Sequence, residues 1–126
     1  MPVTASADPD GRFSVVTVTD PYTIEEWRTA MLAAGDDVTF RSRRRMLIDR
    51  RRATPPTTAF VDSMIRFAAE HPADVGTRVA VVVADSAGFG MARMAELKAS
   101  GSVPEASIMV FREYAAAVDW LTADQS

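Results

Sequence analysis

The chain has no cysteine and one histidine, His71, among its 126 residues. Disulfide staples, thiol nucleophiles and thiolate metal sites are therefore excluded, and a histidine-cysteine zinc site goes with them. Lysine is scarce too: of the 14 Lys and Arg residues only Lys98 is a lysine, so arginine carries the positive charge. No apolar run reaches the roughly 20 residues of a membrane-crossing helix, which predicts no stable membrane insertion. The start "MPVTASADPDGR" lacks a basic segment followed by an apolar one, so the expectation is a cytoplasmic protein. A net charge of −3 gives no global attraction to nucleic acid.

What is present fits one domain over residues 1–126, with a polar tail over 122–126. Hydrophobic residues make up 48 % and charged residues 25 %, enough for a single core at this length. "DPDG" (Asp8 to Gly11) predicts a turn between two short strands, the second over Phe13 to Val18. Thr23 and Glu26 have capping-box spacing, with Tyr22 and Trp27 placed as a hydrophobic staple. They open a helix with Ile24, Trp27, Met31 and Ala34 on one face and Gly35 as a left-handed stop. "RMLIDR" predicts a short buried strand of about five residues, roughly 17 Å long. Thr54 as cap and Pro55 at the first helical position predict the next helix, which His71-Pro72 closes. Val79 to Val83 predicts a strand buried on both faces. A helix bearing Met91, Met94, Ala95 and Leu97 follows, with Gly101 as its stop. "ASIMVFR" and "EYAAAVDWL" then give a last strand and a last helix with Tyr114, Ala117, Val118 and Leu121 on one stripe.

The resulting order is β-β-α-β-α-β-α-β-α. It predicts an α/β fold with a mainly parallel central sheet, flanking helices and an N-terminal antiparallel hairpin.

Two features stand where an open parallel sheet binds ligands, at the carboxyl ends of its strands. The first is the turn "DSAGFG", with Asp85, Ser86, Gly88 and Gly90 before a helix N-terminus that can hold an anion. It lacks the Lys-Ser/Thr of a P-loop, and the plainer reading is a capped strand-to-helix turn with glycines for close packing. The second is Arg50, Arg51 and Arg52, which can clamp a phosphate or carboxylate. Arg41 to Arg52 holds seven of the 14 basic residues, and the plainer reading is a solvated loop paired with acids such as Asp36 and Asp37. Arg41, Arg43, Arg44 and Arg45 enter at the other end of the strand and form a separate patch. Without interleaved aromatics neither cluster points to nucleic acid. Asp49 ends a buried strand, as a catalytic carboxylate or as a structural acceptor. His71 at a helix end is read as a partner of the helix dipole. No cofactor is implied.

"RVAVVVAD…FGMARMAEL" followed by "IMVFREYAAAVDWL" resembles the SpoIIAA-like family, whose fold is related to the STAS domains of anti-sigma factor antagonists. The resemblance rests on Val79 to Ala84, Gly90 to Met94, Val110 to Arg112 and Ala115 to Leu121, within an element order that spans the chain. It implies a small STAS-like domain and assigns no activity, because the family has none. "DSAGFG" is similar to the antagonists' "Asp-Ser-Ser-Gly-Leu-Gly" switch turn but has Ala87 where that turn is phosphorylated, and it follows the fourth strand rather than the third. The equivalent place here holds Thr54 and Thr57 as candidate phosphoacceptors. The expectation is a non-enzymatic regulatory or protein-binding module, with a homodimer as one possible assembly. The alternative is a binder of a small anionic or lipid-like ligand at the carboxyl edge of the sheet.

Overall fold

The computed structural model describes residues 2–36, 44–71, 77–85, 89–90, 93–94 and 107–123. Strands β1 (Val3–Ala7) and β2 (Ser14–Thr19) form an antiparallel hairpin. Its turn is the expected one, with Gly11 at φ 68°, a value that favours glycine. The buried Asp8 carboxylate ties the turn by accepting from Arg12 Nε at 2.7 Å and from the Arg12 backbone N–H at 3.2 Å.

From β2 onward every pairing is parallel. Strands β3 (Arg45–Arg52), β4 (Arg78–Val82) and β5 (Ser107–Phe111) complete a sheet in the order β1-β2-β3-β4-β5. Strand β3 has eight residues, longer than the expected five, because the arginines extend it past the end of β4.

Helices α1 (Ile24–Gly35) and α2 (Thr58–Glu70) connect β2 to β3 and β3 to β4. Successive right-handed crossovers stepping one way across a sheet put their helices on one face. Here Trp27, Ala30, Met31 and Ala34 of α1 and Phe67 of α2 share a core with Val16, Val18 and Met46. Helix α3 (Tyr114–Thr122) follows the last strand, so no crossover constrains it. It covers the opposite face, packing Ala117 and Leu121 against Phe13, Leu47, Ala80 and Val82. Met46 and Leu47 are adjacent, point to opposite faces and are both fully buried, so β3 is the partition between two half-cores.

Local chemistry sets the helix ends. The Thr23–Glu26 capping box forms as the spacing predicts. Gly35 is not a left-handed stop. It is buried as the last residue of α1, and Asp36 caps the helix at φ −85°. Thr54 does not cap α2 either. Thr57 does, accepting from the Phe60 N–H at 3.1 Å, and the helix begins at Thr58. The reason is Pro56, whose ring disfavours helical geometry at Pro55. His71 closes α2: its ring stacks on Phe67 at 4.4 Å, with Nδ1 3.1 Å from the Phe67 carbonyl. Between β4 and β5, Phe89, Gly90, Arg93 and Met94 are helical. Ala95, Leu97 and Gly101 of that expected helix lie outside the described residues.

Candidate functional site

Strands β2 to β5 end on one side of the sheet, where α1, α2 and α3 begin. The structure places Arg50, Arg51 and Arg52 at this edge. Alternation along a strand sends neighbours to opposite faces. A register shift adds to this: Thr17 pairs with Asp49 but Thr19 pairs with Arg52, giving β3 one extra residue. The arginines are therefore distributed around the strand end rather than gathered into one clamp.

Arg50 turns toward the α1–α2 side and is buried, with 7 % of its surface exposed. Its Nη2 donates to the Tyr22 hydroxyl and, at 3.1 Å, to the Thr54 carbonyl. The guanidinium lies over the Tyr22 ring at 5.2 Å, and that ring meets Phe60 edge-on at 5.2 Å. Tyr22 stands just before the α1 cap and Phe60 in the first turn of α2, so the guanidinium sits between two helix starts. Its Nη1 is buried and has no hydrogen-bond partner.

Arg51 turns to the α3 side. Its Nε and Nη2 donate to the two oxygens of Asp49 at 2.9 and 2.8 Å, and its backbone N–H donates to the same carboxylate at 3.1 Å. The guanidinium lies 4.7 Å from the centre of the Tyr114 ring, at the start of α3. Burial pushes the Asp49 carboxyl up. The Arg51 hydrogen bonds and the charges of Arg51 and Arg52 outweigh it, and the net direction is down. Burial, reinforced by the Asp49 charge, pushes the Tyr114 hydroxyl up. Asp49 thus accepts a backbone N–H, as the structural reading expects, but from Arg51 of its own strand.

Arg52 is exposed. Beyond it, Thr54 donates its N–H to Asp20 Oδ2 at 2.7 Å and its hydroxyl to Oδ1 at 3.3 Å. Thr54 and Thr57 are both exposed. Three residues beyond β4 the exposed Asp85 accepts the Phe89 N–H on its backbone carbonyl at 2.9 Å, the spacing of a helical turn. Ser86 and Gly88 lie outside the described residues. Gly90 is exposed, and a Cβ there would meet nothing within 4 Å, so close packing does not require glycine at this position.

Arg41, Arg43 and Asp37 lie outside the described residues. Arg45 is not part of a solvated loop. It is a strand residue whose Nη1 donates to the Leu121 carbonyl at 2.6 Å.

Three residues of this edge are not marked as site residues by the sequence: Tyr22 reads as a staple, Tyr114 as part of a helix stripe, and Asp20 carries no motif. Tyr22 and Tyr114 are the chain's two tyrosines, and each stacks on an arginine of the β3 end. Their signal is positional, since each stands at the start of a helix that follows a strand. Chemically the edge is suited to recognition by charge. Asp49 is held ionised, and no group of three potential metal ligands occurs among the described residues. No described helix is long and apolar enough to cross a membrane. Comparison of the chain with family models, curated proteins and solved structures gives no match.

Proposed function

We propose that this chain is a non-catalytic STAS-like domain of the SpoIIAA-like kind, a regulatory module that binds a protein partner at the carboxyl end of its sheet. The observation that carries this reading is the state of the acids there. Asp49 is engaged by Arg51 and Asp20 by Thr54, whereas Arg52, Thr54 and Thr57 face solvent. Carboxylates held by internal hydrogen bonds are poorly placed to exchange a proton with a substrate, while exposed cations and hydroxyls suit recognition. The N-terminal hairpin followed by a parallel α/β array supports the family resemblance. Phosphorylation fits the same edge: a phosphoryl group on Thr57 disturbs the α2 cap, and one on Thr54 confronts the Asp20 carboxylate.

Native mass spectrometry of the chain purified from its own host tests this. The expected spectrum holds the chain, bare or phosphorylated, with a protein partner that Arg52→Glu releases. The same spectrum gives the subunit count. A partner retained equally by Arg52→Glu removes this edge as the binding surface. A retained small molecule in place of a partner favours the second reading, a binder of a small anionic ligand. One observation speaks for that reading, the buried Arg50.

A further inference from the structure

We infer that Arg50 anchors a binding site for a compact oxyanion, a phosphate or carboxylate group, beside the start of α2. This deepens the ligand-binding reading and rests on it.

The argument starts from the cost of burying charge. Arginine cannot shed its proton as a buried lysine can, so a buried guanidinium stays charged and needs an anion or a full set of acceptors. Arg50 has 7 % of its surface exposed, and no carboxylate of the described residues lies within ion-pair distance. Its partners are neutral: a hydroxyl, a carbonyl and an aromatic ring. Nη1 has none. Arg51 satisfies its charge on Asp49, and Arg78, equally buried and likewise held by carbonyls and a ring, has no buried nitrogen left without a hydrogen-bond partner, so the unsatisfied Nη1 sets Arg50 apart from both. The surroundings also favour an anion. The first turn of α2 contains no acid, and Arg52 adds a second cation at the same strand end. Asp20 opposes it, being held on Thr54, whose carbonyl Arg50 binds. A guanidinium offers parallel donors that match the oxygen pair of a phosphate or carboxylate. A ligand reaches Nη1 only if the half-buried Tyr22 ring, packed edge-on against Phe60, moves aside, since Thr54 is held through its backbone.

The test is thermal unfolding of the full chain in inorganic phosphate and in acetate, each against chloride at equal ionic strength. One or both oxyanions are expected to raise the midpoint, and which one does so identifies the chemistry. Arg50→Gln is expected to weaken the effect about tenfold or more, the loss of a charged hydrogen bond. Asp20→Asn keeps an acceptor for Thr54 and removes the repulsion, so it is expected to tighten binding. No stabilisation over chloride, or an undiminished one in Arg50→Gln, overturns the site. Should Arg50→Gln not fold, amide shifts of the unmodified chain on titration with phosphate decide instead. Shifts gathered over residues 50–60 support the site, and shifts elsewhere overturn it. Failure here leaves the partner reading standing, because native mass spectrometry tests that separately.

Discussion

The Asp49 carboxylate is largely screened from water, which works against its charge, yet the folded protein holds it more acidic than an ordinary carboxyl. Asp8 is shifted the same way, first by its hydrogen bond from Arg12 and against the effect of burial. Both groups titrate near 3.8 when unperturbed and lower in the fold. The stability they add is therefore complete above the unperturbed value and is lost as pH falls through the folded ones. Urea midpoints measured from about pH 5 down to pH 2 should fall steeply for the parent chain and less steeply for Asp8→Asn and Asp49→Asn. Identical acid slopes would mean that neither pair contributes. Threonine gives a second contrast at this scale. Thr57→Ala removes the α2 cap and should cost about 1 kcal/mol. Thr54→Ala keeps its N–H bond to Asp20 and loses one long hydroxyl contact, so it should cost about half as much or less. Equal costs in urea unfolding would contradict the assignment of Thr57 as the cap.

At the scale of elements, α3 shows where the sequence could be read and where it could not. Its apolar stripe is local information, and Ala117 and Leu121 are buried as the spacing predicts. The Thr23–Glu26 box and the turn at Gly11 are local information too, and both form as the spacing predicts. The split of the arginine triplet follows from the two-residue period of a strand. The contacts that finish the structure join distant segments and leave no periodic trace. Arg78 Nη1 donates to the carbonyls of Trp120 and Ala123 at 2.8 and 3.0 Å, and Arg45 reaches that of Leu121. Two strand arginines thus satisfy the exposed carbonyls of the α3 C-terminus, where the helix dipole also favours positive charge. The helix has no side-chain cap at its N-terminus, so its ends are secured unequally. Arg78→Met keeps the aliphatic stem and removes the donors, and should cost about 1.5–3 kcal/mol. Amide exchange should quicken in α3 before it does in α1. A uniform rise across both helices would indicate general destabilisation and not a lost cap.

Among the described residues the sheet has an apolar core on each face, and the chain's two tryptophans report on the two faces separately. Trp27 lies on the α1–α2 side, edge-on to Phe67 at 5.2 Å. Trp120 lies on the α3 side, near Phe111 at 5.8 Å and under the Arg78 guanidinium. Strand β3 contributes Met46 to one half-core and Leu47 to the other, so neither face can melt without disturbing the strand that supports the other. A domain of this size with a shared central strand should unfold in one step. Leu47→Ala should cost about 2–5 kcal/mol through the cavity it leaves. That loss sits on the α3 face, yet it should lower the urea midpoint seen by both tryptophans equally. Trp27→Phe and Trp120→Phe backgrounds isolate each signal. If Leu47→Ala shifted only the Trp120 signal, the two faces would be independent folding units. In that case the α3 face, with Arg51 and Tyr114, could open while Arg50 stayed buried against α1 and α2. Coincident shifts tie the two arginines to one cooperative structure, so that a ligand held by Arg50 would stabilise α3 as fully as it stabilises α2.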